Sequence, residues 1–311
     1  MKNLFIALAI FTLSFSFLLA QDSIQAPIDT SYWKNSGIAS FNITNTSVSS
    51  YWQAGGINSR SFAFRIDMSG HYDKDKTSWH NSLVVAYGTI RQGRKQNSFI
   101  KNDDRLEINS KFGFHFSKNL LISGLASFRT QFFEGYNFDP KSPTTVPSDT
   151  VSNFLSPAYL EFGIGMDYQP IKDFSIYYSP INSKITIVTV EAYRPLYVPQ
   201  DNIDQAVRYE LGSRLKVRLK RTIAKNILFQ ANASFFTNYL KNPGNIDINW
   251  ETLTTAKVNS WLAINFSTNL IYDDDVKFNL LDENGVKTGK LGPRTQFQHI
   301  LAIGLTYQFI K

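Results

Sequence analysis

Along this chain apolar and polar residues change places at every second position, in one segment after another. In Ser61 to Ser69, Phe62, Phe64, Ile66 and Met68 fall on one side, with Ser61, Ala63, Arg65, Asp67 and Ser69 on the other. A period of two is the mark of a strand with unlike faces. The alternation returns in Arg105 to Phe116, Leu120 to Phe132, Ala158 to Tyr168, Tyr209 to Leu219, Ile227 to Phe235 and Leu262 to Tyr272. In Tyr209 to Leu219 the polar side reads Glu210, Gly212, Arg214, Lys216 and Arg218. Polar faces this densely charged do not make the core of a soluble sandwich. Weaker segments at Ser36 to Thr46, Trp79 to Ile90, Phe174 to Val188, Ile248 to Val258 and Thr295 to Phe309 raise the expectation to about twelve strands. Their lengths suit tilted crossings of a bilayer.

The connections alternate too. Asp73 to Lys76, Ser117 to Asn119, Gln169 to Lys172, Thr222 to Lys225 and Asn259 to Ser260 are tight, whereas Arg91 to Asp104, Phe133 to Leu155, Glu191 to Val207 and Asp273 to Gly292 are long. Short turns on one rim and long loops on the other describe an outer-membrane barrel. The pattern therefore predicts an all-β fold: a closed antiparallel transmembrane β-barrel of about twelve strands, with short periplasmic turns and long extracellular loops. Tyr87, Tyr178, Tyr209, Trp250 and Tyr272 would mark its outer rim, and Tyr72, Trp79, Phe116, Tyr168 and Phe174 the inner one.

The single long apolar run, Leu4 to Ala20 behind Lys2, reads as a secretory signal peptide. Cleavage is expected after Ala20, although Leu18 is larger than an ideal residue at the minus-three position. The organisation is then residues 1–20 signal peptide, 21–35 a periplasmic N-terminal segment and 36–311 the barrel. No later run is long enough to span as a helix, so a membrane-spanning mature chain has to be a barrel. Among 311 residues there are 25 Phe, 15 Tyr and 5 Trp but no cysteine. That removes disulfides, thiolate metal sites, a cysteine nucleophile and a lipoprotein anchor. The net charge of +7 is spread over the chain instead of gathered in a basic tract, which argues against nucleic acid and fits an anionic outer leaflet.

Several stretches are familiar together, though none is specific alone: Tyr51-Trp52-Gln53-Ala54-Gly55-Gly56, Trp79-His80-Asn81-Ser82-Leu83, Asp103-Asp104-Arg105-Leu106-Glu107, Phe128-Arg129-Thr130-Gln131-Phe132, Asn242 to Glu251, Tyr272-Asp273-Asp274-Asp275 and Gly292-Pro293-Arg294. By these the chain resembles, over nearly all its mature length, an uncharacterised family of outer-membrane proteins from Bacteroidetes-type bacteria, the domain-of-unknown-function family 3078. The resemblance implies architecture and location in a Gram-negative outer membrane, and brings no activity. Gly304, Tyr307 and Phe309 likewise resemble the terminal signature read by the barrel-assembly machinery, with Ile310 and Lys311 added after it. Expected partners are that machinery, outer-membrane lipid and lipopolysaccharide; a partner protein is not legible.

Chemistry belongs to the inward faces and the loops. The expected lumen residues are Arg65, Asp67, Arg105, Glu107, Lys111, Arg129, Glu161, Asp167, Glu210, Arg214, Lys216, Arg218, Glu251 and Lys257. One reading is that they fill a narrow barrel by pairing with one another. Another is a channel in which Arg214, Lys216 and Arg218 face Glu161 and Asp167, setting up a transverse field that favours small polar or anionic solutes. Twelve strands lie between filled eight-stranded barrels and open sixteen-stranded porins, so strand number does not choose. The alternative from another class is a lipid-modifying hydrolase. His80 and Ser82 share an inward face, but Asn81 points the other way, and strand spacing does not promise a base–nucleophile hydrogen bond. His71, His115 and His299 are isolated. Asp273 to Asp275 followed by Asp282, Glu283 and Asn284 could suggest a cation loop, but Phe278 and Asn284 stand where a calcium loop needs Gly and Glu. Gly163-Ile164-Gly165 lacks the rest of a nucleotide-binding turn. No cofactor, metal or catalytic residue is assigned.

Overall fold

In a computed structural model of the chain, the described residues are 32–47, 58–93, 99–136, 150–171, 173–198, 204–281 and 287–310. The expected signal peptide, Tyr51 to Gly56, Pro140 to Pro147 and Arg94-Lys95 lie outside them. The unit from Trp33 onward is built on twelve long strands. In chain order these are β1 (Trp33–Thr46), β2 (Ser59–Lys74), β3 (Thr77–Gln92), β4 (Ile100–Ser117), β5 (Leu120–Thr130), β8 (Ala158–Tyr168), β9 (Phe174–Ile187), β10 (Val207–Ala224), β11 (Ile227–Asn238), β12 (Asp247–Lys257), β13 (Leu262–Tyr272) and β16 (Gln296–Ile310). Two short hairpins decorate the long loops: β6 (Gly135–Tyr136) with β7 (Thr150–Ser152), and β14 (Lys277–Leu281) with β15 (Lys287–Pro293). A single helical turn, α1 (Arg194–Tyr197), follows β9.

Each long strand pairs antiparallel with its neighbours, and β1 closes on β16. All twelve sequence-predicted strands exist. The main differences are at the ends: β1 starts at Trp33 instead of Ser36, and β10 and β12 each begin earlier, at Val207 and Asp247. The tight turns lie between β2 and β3, β4 and β5, β8 and β9, β10 and β11, and β12 and β13. Asp75, Asp173 and Asn226 take positive φ there, the left-handed backbone that short polar residues tolerate best. β4 and β10 are 18 residues long, roughly 45 Å of height at a tilt near 40°. They outreach the hydrocarbon band, so this wall projects beyond the bilayer.

Polarity is inverted relative to a soluble protein. Phe116 is 73% exposed, Ile164 68% and Leu301 66%, whereas Asp167 is 0%, Glu210 2% and Arg214 7% exposed. No described helix is long and apolar enough to cross a membrane. An apolar surface of this extent, wrapped around a closed sheet with charges inside, belongs against lipid. At the tight-turn rim Trp33 packs on Tyr72 at 5.4 Å and on Trp79 at 5.7 Å between ring centroids. Tyr209 and Trp250 stand at the long-loop rim, as expected. Tyr178 does not: it is the fifth residue of β9, opposite Met166 and near the tight-turn end.

β9 shows why its alternation looked weak. Its register slips against both neighbours, between Ile164 and Met166 on β8 and between Gly212 and Arg214 on β10. Ser179 and Pro180 form the bulge, where a residue without an N–H is tolerated. Ser179 Oγ donates to Ile164 O at 2.9 Å and the Tyr239 hydroxyl donates to Pro180 O at 3.0 Å. The extra residue reverses the phase: Tyr178 and Ile181 both face out, and Tyr177 and Asn182 both face in. A Cβ on Gly165 would come to 2.0 Å from Tyr178 O, while one on Gly124 would meet nothing within 4 Å. Gly165→Ala is therefore expected to destabilise the folded barrel by about 1–3 kcal/mol, and Gly124→Ala to leave it unchanged. Urea titration of the heat-modifiable folded band in lipid vesicles measures both.

Candidate functional site: the charged lumen

The inward faces of β8, β9, β10 and β12 carry one continuous network. At the long-loop end, Lys184 on β9 reaches Asp247 at 3.3 Å and Glu210 at 3.5 Å. Arg208 donates to Glu210 at 2.9 Å and also pairs with Asp275 beyond β13. One level down, Glu161 on β8 receives Arg214 at 2.9 Å and Lys216 at 3.4 Å, both from β10. The side chain of Phe236, 2% exposed, lies under two of these cations, 4.7 Å from Arg214 and 5.3 Å from Lys184. A ring face is a suitable floor for charges held away from water.

On the opposite wall, Arg105 of β4 reaches across the bore to Glu251 of β12. In the cyclic strand order β4 and β12 are six places apart of twelve, so they are diametrically opposed. Arg105 Nη1 stands 3.1 Å from each Glu251 oxygen, a fork that also draws in Arg129 at 3.8 Å and leaves Glu107 3.9 Å from the same guanidinium. A second crossing lies nearer the tight turns, where Arg218 Nη1 meets His80 Nε2 at 2.9 Å. Arginine has donors only, so Nε2 accepts and the imidazole proton sits on Nδ1. Lys111 and the Ser175 hydroxyl both donate to Asp167, with Gln169 adding a third bond at 2.7 Å. Arg65 and Asp67 pair along β2 at 2.7 Å.

Thirteen of the fourteen expected lumen residues thus enter polar contacts inside the barrel. Lys257 instead ends β12 at the tight-turn rim and is exposed. The expected opposition across open space is corrected as well: Arg214 and Lys216 touch Glu161 directly, Arg218 goes to His80, and Asp167 belongs to Lys111. Sequence reasoning missed Lys184, because the Pro180 bulge reverses the phase of β9. It missed Arg208 and Asp247 because each sits just before the expected start of its strand. Reading those starts one or two residues earlier puts both on the inward parity.

His80 and Ser82 share the lumen face, but their hydrogen bonds diverge. The His80 Nε2 lone pair is taken by Arg218, and Ser82 Oγ accepts from Asn109 at 3.4 Å. The other histidines also have neighbours: the His71 ring lies 5.8 Å from that of His80, His115 is 3.8 Å from Asp73, and His299 faces outward beside Phe297. The acidic loop is tied inward, with Asn245 donating to Asp274 at 2.6 Å and Asp275 held by Arg208. No group of three or more metal-ligating side chains occurs among the described residues.

Above the network the long loops lean on one another. Val188, Tyr193 and Val198 form a small apolar cluster, and the Tyr197 hydroxyl donates to Val151 O at 2.9 Å. Burial pushes that hydroxyl above the ordinary tyrosine range, so it remains a donor at any physiological pH. Ser156 Oγ meets Thr189 Oγ1 at 2.8 Å and accepts from Val190 N–H at 2.9 Å.

A closed antiparallel sheet with lipid-suited aromatics outside and paired charges inside defines a transmembrane β-barrel. Residues 31–136 match the family described as "Protein of unknown function (DUF3078)". That stretch carries β1 to β5; Asn242 to Glu251, Tyr272 to Asp275 and Gly292 to Arg294 lie beyond it. No curated protein matches. Among solved structures the chain is similar to the translocator domain of autotransporter NalP from Neisseria meningitidis, at 7% identity over 89% of this chain and 88% of that one, with a TM-score of 0.36. It is similar to the NanC porin at 6% identity, over 88% and 98%, with a TM-score of 0.37. It is also similar to the P. putida toluene transporter TodX at 10% identity, over 90% of each chain, with a TM-score of 0.30.

Glu161 holds two cations in a setting with little water. Glu161→Gln leaves both short of a counter-charge and is expected to destabilise the barrel by about 3–5 kcal/mol. Asp67→Asn, at a half-exposed pair, should change stability by under about 1 kcal/mol. Parallel urea titrations compare the two.

Proposed function

We propose that this protein is a barrel of the outer membrane of a Gram-negative bacterium whose bore is shut to through-flow, and that it acts as an anchored platform presenting its long loops. The observation that carries the reading is the Arg105–Glu251 bridge between opposite strands, supported by the His80–Arg218 crossing. Ions entering such a lumen would have to break paired, partly desolvated charges. The tight turns would face the periplasm and the loops the lipopolysaccharide leaflet, with the barrel-assembly machinery as the partner in insertion.

A narrow channel for small polar or anionic solutes is the second reading. It is favoured by Arg218, which is exposed to the lumen and whose closest polar contact is a neutral imidazole. Planar-bilayer recording distinguishes the two. The wild-type barrel is expected to insert without steady conductance, and Arg105→Ala with Glu251→Ala together to open it. Steady wild-type conductance whose ion preference reverses in Arg214→Glu would overturn the closed-bore reading in favour of the channel. The hydrolase alternative has its own check: lipid turnover by the purified barrel that disappears in His80→Ala with Ser82→Ala would establish catalysis.

A further inference from the structure

The place where the barrel closes is unlike its other seams. β1 pairs with β16 through six residue pairs, from Gly37 with Ile310 to Asn42 with Gly304. Every other neighbouring pair keeps its ladder for ten or more, such as Leu262 with Leu305 through Ile271 with Gln296 between β13 and β16. Past Asn42, β1 continues to Thr46 paired only with β2, and past Gly304, β16 continues back to Gln296 paired only with β13. The register would carry on as Ile43 with Ile303, but the ladder stops. Both strands end here toward the long-loop rim.

Exposure gives an independent sign. Along β8, outward residues are exposed and most inward ones buried. At the closing seam this contrast vanishes: Ile43 through Thr46, and Gln296 through Leu301, are exposed on both faces. Inward Thr44 and Gln298 are therefore as accessible as outward Ile43 and Leu301. The wall here is open from the lipid side and from the lumen side alike.

The lining of the opening defines what it suits. Outside are Phe41, Ile43, Leu301, Ile303 and Leu305. Inside, Asn42, Thr44, Gln298, Ser267 and Asn269 offer neutral hydrogen-bonding groups, away from the charged network of β8 to β12. Between them run the strand edges, whose N–H and C=O groups need partners where water is scarce. Because the strands rejoin at Asn42 and Gly304, the opening tapers toward mid-membrane and has room for a thin chain at its base.

We propose that the β1–β16 seam is a lateral portal in the long-loop half of the barrel, and that it takes a single-chain amphiphile. The acyl chain lies against the apolar outer residues, and an uncharged or zwitterionic polar end bonds to the strand edges and to the neutral side of the lumen. A pairing strand from a second copy is the rival occupant, but β1 offers it only Ile43 to Thr46. The proposal rests on the barrel's seat in a bilayer and is independent of whether the bore conducts.

Closing the seam tests it. Ile43→Cys with Ile303→Cys places thiols at the next ladder position in a chain that has no cysteine of its own. A short bismaleimide bridges the pair if the thiols do not oxidise. The probe is palmitoyl lysophosphatidylcholine, read by native mass spectrometry of protein released from a polyoxyethylene detergent, with heat-modifiable migration as the check of folding. Wild type and the reduced variant are expected to carry the lysolipid, and the bridged variant to lose about tenfold in affinity. Equal binding before and after bridging, or none to the wild type, would overturn the portal. A dimer that bridging abolishes would also overturn it, giving the seam to a second copy. A conducting wild type that still binds lysolipid would sink the closed-bore reading and leave the portal intact.

Discussion

A backbone in hydrocarbon must find every hydrogen bond within the protein, and the rest of this structure follows from that constraint. A sheet satisfies it only by closing on itself. Closure turns one face of every strand toward lipid and the other toward an enclosed space, so a two-residue repeat in the chain becomes an inside and an outside. The exposed Phe, Ile and Leu of β4, β8 and β16 and the buried carboxylates of β8 and β10 are consequences of the same geometry. The seam between β1 and β16 is the one described place where the constraint is only half met, which is why it stands apart.

Enclosing charges creates a second requirement. A lumen this narrow cannot hydrate each ion fully, so cations and anions have to meet one another. The alternation of sign between neighbouring strands does this: Glu161 of β8 lies within reach of Arg214 and Lys216 of β10, and Lys184 between them turns to Glu210 and Asp247. Across the bore, Arg105 and Glu251 do with long side chains what neighbouring strands do locally. The neutral wall of β13, β16 and β1 is left outside this arrangement. One side of the lumen is thus cross-braced by ions, and the other is free of them.

Most of the architecture was legible before any coordinates. Strand number, order of tight and long connections, and the inward residues of β2, β4, β8 and β10 follow from parity alone. What parity could not handle was a change of phase. The bulge at Ser179 and Pro180 hides Lys184 and moves Tyr178 from the outer rim to a place near the tight turns. Strand ends were uncertain by one or two residues because flanking polar residues carry no periodic signal, and that margin contained Arg208 and Asp247.

The chain by itself determined that charges go inside and aromatic residues outside, because side-chain direction in a strand is local and repeats every two residues. It did not determine which charges touch. Arg105 and Glu251 are separated by 146 positions, and their meeting depends on which strands the closed ring sets opposite each other. The same holds for the unfinished ladder between β1 and β16. Pairing between the first and last strands is a property of ring closure, and no local pattern encodes where it stops.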